Sequence, residues 1–205
     1  MSQAIMNQTQ TLVLGLTGGI ASGKSTLAAH ARSLEIPVFD ADKAVHVLYE
    51  NDVAMRQEIL AAFPEAEHHG VIDRQKLGAA VFANEERLKQ LEAILHPHVR
   101  AQEIAFIKNA RALGEKIIIL EIPLLFETAA ETLCDSVIVA AAPESIRKQR
   151  AFLRAGMTEE KWQRIIARQL PELVRRNHAD IVIDTSGAPK SACEKFEALL
   201  KEIRG

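Results

Sequence analysis

The sequence predicts an α/β fold built on a five-stranded, mostly parallel core sheet. Two observations carry this. Short β-branched apolar runs alternate with segments of helical character, and the spacing between the runs is uneven. The runs are Leu12–Leu16, Ile36–Asp40, Lys116–Ile122, Ser136–Ala141 and Asp180–Asp184. Each is nearly continuously apolar, as strands covered on both faces are.

The helical segments follow in order. Ser25–Leu34 places Leu27, Ala28 and Ala31 on one side. Glu85–Leu113 carries Leu88, Leu91, Ile94 and Leu95, with Pro97 expected to break or kink it. Pro143–Ala155 and Glu159–Leu170 complete the set. The stretch from Asp40 to Lys116 is too long for one crossover, and the one from Ala141 to Asp180 is rich in arginine. Both read as helical excursions from the sheet. The expected organisation is therefore one domain over 11–205. Its core is 11–40, 114–143 and 171–205, with a helical subdomain at 41–113 and a second helical excursion at 144–170.

Bulk properties narrow the class. The 205 residues suit one core with subdomains, and 48% apolar with 25% charged residues is ordinary for a globular chain. A net charge of −2 gives no electrostatic case for nucleic-acid or membrane partners. Cys134 and Cys193 lie far apart with no metal-ligand spacing, which reads as two reduced thiols. The opening "MSQAIMNQTQ" lacks the basic and apolar regions of a signal peptide and reads as a flexible extension. A cytoplasmic protein is expected, monomeric or weakly homo-oligomeric.

Behind the first run stands "GGIASGKST", Gly18 to Thr26, which fits G-x-x-x-x-G-K-[ST]. Gly18, Gly19, Ala21, Ser22 and Gly23 are small, so backbone N–H groups can converge on phosphate oxygens. The helix that follows turns its positive end to the same anion. Lys24 is expected to reach the β- and γ-phosphates, Ser25 to ligate Mg²⁺, and Thr26 to meet the α-phosphate. The strand before and helix after supply the context this pattern requires, so a nucleoside triphosphate with magnesium is the expected ligand.

This leaves switch GTPases, motor ATPases and small-molecule kinases open. No guanine-reading NKxD and no LSGGQ occurs. Asp40 and Asp42, in "VFDADKAVH", fall at the carboxyl end of the second strand, where ligands bind in open α/β sheets. Capping of the next helix is the competing reading for these carboxylates.

The ordered set "LTGGIASGKST", "FDAD", "LHPHVR", "EIPLLFE", "QRAFLRAGMT" and "ADIVIDTSG" resembles dephospho-coenzyme A kinase, from about Leu12 to the C-terminus. The resemblance implies a P-loop kinase-like, three-layer α/β/α fold. It also implies transfer of the ATP γ-phosphoryl group to the ribose 3′-hydroxyl of dephospho-CoA. By position in the DAD triplet, Asp42 is the expected general base and Asp40 a support for magnesium or loop geometry. The subdomain at 41–113 becomes the CoA-binding part, with His96 and Arg100 holding the acceptor or organising the helices, and Leu124 walling the acceptor pocket. The stretch 144–170 becomes a lid. Of its Arg147, Arg150, Arg154, Arg164 and Arg168, Arg150 and Arg154 fit the family pattern best as phosphate ligands.

Three departures appear. Glu121 stands where the family usually has aspartate and is a further candidate for the magnesium or water shell. His46 replaces a common arginine, and Thr185, expected near the adenine, replaces asparagine. The competing readings are another small-molecule or nucleoside monophosphate kinase, or a regulatory ATPase.

Overall fold

The computed structural model describes residues 11–82 and 84–204; the flexible extension expected at 1–10 lies outside them. The chain divides into two compact units, residues 11–40 with 106–204 and residues 41–105.

In the first unit, β1 (Leu12–Thr17), β2 (Val38–Asp40), β5 (Ile117–Glu121), β6 (Ser136–Ala141) and β7 (Ile181–Asp184) form one sheet. Its order is β2-β5-β1-β6-β7, with every pairing parallel. After β1 the chain goes to the edge strand β2, returns to β5 beside β1, and then crosses to β6 and β7 on the other side, so β1 marks the reversal of strand order. The crevice beyond its carboxyl end is where such sheets take ligands.

Helix α1 (Lys24–Ser33) packs Leu27, Ala28 and Ala31 on this sheet, the three residues whose spacing marked a buried face. The C-terminal helix α9 (Pro189–Arg204) sets Ala192, Phe196 and Leu200 into the same core, against Leu14, Ile119, Ile138 and Ile183. Two aspartates fix the strand ends. Asp135 Oδ2 accepts from Val13 N–H at 2.8 Å and Asp180 Oδ2 from Val137 N–H at 2.7 Å. α6 (Glu144–Phe152), α7 (Glu159–Ala167) and α8 (Glu172–His178) fill the excursion between β6 and β7.

The second unit holds α2 (Ala41–Asn51), α3 (Val53–Ala62), α4 (Arg74–Phe82) and most of α5 (Glu85–Ala112). Between α3 and α4 sits a short antiparallel hairpin, β3 (Glu67–His68) with β4 (Val71–Ile72). His69 and Gly70 make its turn, both at positive φ. Leu48, Met55, Ile59, Phe63, Leu77 and Leu91 make this unit's core. Helix α5 runs through Pro97 without a break. Proline removes one rung of the helical ladder, but Leu91, Ile94, Leu95 and Val99 on both sides of it pack into the core and hold the turn.

Asp52 caps α3 by accepting from Met55 N–H at 2.9 Å and shares a 2.9 Å hydrogen bond with His98 Nδ1. The Met55 amide first, then His98, hold the Asp52 carboxyl below its ordinary range. Among the described residues, no helix is long and apolar enough to cross a membrane.

Candidate active site

The glycine-rich stretch is a loop between β1 and α1 whose backbone needs small residues. Gly23 sits at φ 89° and Ala21 at φ 57°, the left-handed region that side chains resist. A Cβ at Gly18 would meet the Ala140 carbonyl and Ser22 Oγ, both at 2.5 Å. No side chain caps α1 at Gly23, and no acidic residue occupies its first turn. The positive end of this helix is left for an external anion.

Lys24 Nζ lies 2.9 Å from Glu121 Oε1, and Glu121 Oε2 lies 3.3 Å from Arg32. Arg32 also reaches Asp40 at 3.5 Å. The two carboxylates stand side by side because Asp40 and Glu121 are register partners at the ends of β2 and β5. Glu121 is 3% exposed, and its two oxygens face Lys24 and Arg32. Asp40 and Glu121 present carboxylate oxygens on adjacent strand ends, the ligand type that hard divalent cations such as Mg²⁺ take.

On the α1–β7 side, Ala21, Gly23, Thr26, Arg150, Arg154 and Thr185 line a cavity of about 240 Å³. Thr185 Oγ1 is within donating distance of both the Ser22 and Ala141 carbonyls, tying the loop to the sheet. Arg150 Nη2 donates to the Thr185 carbonyl at 2.7 Å, and more distantly to those of Ser186 and Gly187. Arg150 thus braces this cavity's rim, whereas Arg154 lines it from an exposed position.

The residues expected from the sequence divide between the units. Gly18–Thr26, Asp40, Glu121, Arg150, Arg154 and Thr185 gather in the first, where Leu124 is half-buried in the turn after β5. Asp42, His46, His96 and Arg100 belong to the second. Asp42 is exposed in the first turn of α2, His46 and His96 are exposed, and Arg100 pairs with Glu103 at 3.1 Å. In "LHPHVR" it is His98, not His96, that makes the contacts with Asp52 and Glu58.

Sequence reasoning passed over Arg175 and Gln169. Gln169 Oε1 accepts from the Ile20 N–H of the loop at 3.0 Å. Arg175 is 2% exposed and lies against Gly19 together with Arg147. The one available signal was the doubled arginine at Arg175-Arg176, which resembles any solvated helix end.

Comparison with known proteins shows the family. The family model described as dephospho-CoA kinase matches residues 12–190. A Mesorhizobium japonicum protein named dephospho-CoA kinase is 46% identical over 95% of this chain and 98% of its own length. A solved Thermus thermophilus structure superposes with a TM-score of 0.81 at 36% identity, covering 96% of this chain and all of its own. A dephospho-CoA kinase structure from Campylobacter jejuni gives 0.69 at 29% identity, covering 93% and 96%. With its loop, its strand-end carboxylates and its near-complete match to these relatives, the chain belongs to the dephospho-CoA kinase family.

Proposed function

We propose that this protein transfers the γ-phosphoryl group of ATP to the ribose 3′-hydroxyl of dephospho-CoA, giving coenzyme A and ADP. The observation that carries the reading is the uncapped, cation-bearing loop of Gly18–Thr26, within a chain that matches the family almost end to end. The base occupies the cavity lined by Thr185 and Arg150, and the triphosphate lies along the loop. Lys24 shifts its charge from Glu121 to the β- and γ-phosphates, where it opposes the negative charge that develops during transfer.

Asp42 acts as general base. It takes the 3′-hydroxyl proton while the ribose oxygen bonds to the γ-phosphorus and the bond to the β,γ-bridging oxygen breaks, leaving ADP. Ser25 would hold Mg²⁺, with Asp40 and Glu121 as further oxygen donors. When bound, the ion neutralises phosphate charge. The helical unit carries the acceptor, with His96 and Arg100 on α5 as its contacts. Arg154 and the α6–α7 segment close over ATP and exclude water.

An acceptor screen with purified protein and MgATP tests this. Dephospho-CoA is expected to be phosphorylated far faster than nucleoside monophosphates, shikimate or sugars. Phosphorylation of a nucleotide with dephospho-CoA untouched would contradict the assignment. So would ATP hydrolysis that yields no phosphorylated product.

A further inference from the structure

Two buried guanidiniums converge on one glycine of the loop. Arg147, on α6, is 4% exposed and Arg175, on α8, is 2% exposed. A Cβ placed on Gly19 would come within 2.6 Å of both Arg147 Nη1 and Arg175 Nη2. Arg175 Nη2 pairs with Glu172 at 2.7 Å, while its Nε, fully buried, has no partner. Arg147 Nε donates to the Ala142 carbonyl at 3.1 Å, and its guanidinium lies 5.9 Å from the Trp162 ring centroid. Among the described residues, no carboxylate reaches Arg147 at ion-pair distance.

Two guanidiniums are therefore buried against one directly paired carboxylate, and the more distant Glu172 and Glu144 offset only part of the desolvation of Arg147. Desolvation acts against the charged form of Arg147, lowering its pKa, and Glu172 offsets this in part. Glu144, Arg147, Gln163, Gln169, Glu172 and Arg175 line a cavity of about 410 Å³. Gln169 anchors its wall to the loop through Ile20 N–H.

Position selects the ligand. The base cavity lies against Ala21, Gly23 and Thr26, at the α1 end of the loop. Gly19 lies at the β1 end. A triphosphate that starts at the base and follows the loop brings its last phosphate, not its first, toward Gly19. We propose that Arg147 and Arg175 form a two-guanidinium clamp for the terminal phosphoryl group of the bound triphosphate, holding it for transfer. This rests on the reading that Gly18–Thr26 binds ATP. Forked donors suit a phosphoryl group, because each guanidinium can present two N–H groups to its oxygens.

The test is the affinity of the full-length protein, with Mg²⁺, for ADP and for a β,γ-imido ATP analogue, measured by titration calorimetry. Arg147→Gln is the primary variant, because it breaks no ion pair. Arg175→Gln and Arg175→Lys accompany it, and a melting scan reports folding. In Arg147→Gln the analogue is expected to bind about tenfold or more weakly, with ADP affinity within about twofold of wild type and kcat at saturating ATP reduced at least as much. Arg175→Lys is expected to recover part of the loss seen in Arg175→Gln. A structural role alone would lower the melting temperature and weaken both nucleotides alike. Equal losses for ADP and the analogue, or an unchanged analogue affinity with normal kcat, would overturn the clamp. Wild-type protein that binds neither nucleotide would overturn the loop assignment and the clamp with it.

Discussion

Glu121→Gln isolates the ion pair that holds Lys24. The substitution keeps the shape of the side chain and removes its charge. At 2.9 Å and an effective dielectric of about 20, the Lys24–Glu121 attraction is on the order of 5 kcal/mol before desolvation. Arg32 is 41% exposed on its side chain, so its share is screened to about 1 kcal/mol or less. Removing one partner of a buried pair costs about 3–5 kcal/mol. The glutamine oxygen can still accept from Lys24, so about 3 kcal/mol is expected. For a chain of this size that is a melting-temperature loss of about 6–12 °C. The assay is calorimetric melting without nucleotide, repeated for Lys24→Ala and for the double variant. The two single losses are expected to overlap by at least about 1 kcal/mol in the cycle. A Glu121→Gln melting temperature within about 2 °C of wild type, or strict additivity with Lys24→Ala, would refute the reasoning.

Thr185→Val removes the hydroxyl that ties the loop to β6. It is expected to cost about 1–3 kcal/mol in urea unfolding and to weaken ATP binding. Asp52→Ala deletes the α3 cap and is expected to cost about 1 kcal/mol at neutral pH. Because the Asp52 carboxyl is held low when folded, its contribution is complete above its ordinary value of 3.8. It is lost as pH falls through the lowered folded value. The gap between wild type and Asp52→Ala in pH-dependent melting is therefore expected to narrow as pH falls below 3.8. Asp42→Asn is expected to lower kcat by about 100-fold or more with nearly intact ATP affinity, and near-normal kcat would remove Asp42 from the base role.

Where a residue's role is written in local chain chemistry, the sequence exposed it. Gly18–Ser25 was legible because tight turns, small side chains, a lysine and a hydroxyl are needed together at fixed offsets. The five strands were legible because their runs are nearly continuously apolar, and observed bounds differ by only a residue or two; burial on both faces explains this for β1, β5 and β6, whereas β7 exposes Val182 and Asp184. Pro97 shows the opposite case: its local preference for a break yields to packing of Leu91 and Val99 on either side. The two-residue strands at 67–68 and 71–72 are too short to carry a period. Arg175 was hidden for another reason. Its neighbours Glu172 and Arg176 make the segment look like a charged, solvated helix. Only tertiary packing presses its guanidinium onto Gly19, far away in sequence. Glu121 likewise revealed its cationic partners only once β5 was set between β1 and β2.

The most direct measurement is the identity of the product formed from dephospho-CoA and MgATP, with the new phosphate located by phosphorus and proton NMR. One phosphate on the ribose 3′-oxygen, with ADP formed in equal amount, is the expected result. ADP release without an acceptor phosphate, or phosphate on any other position, would contradict the assigned reaction.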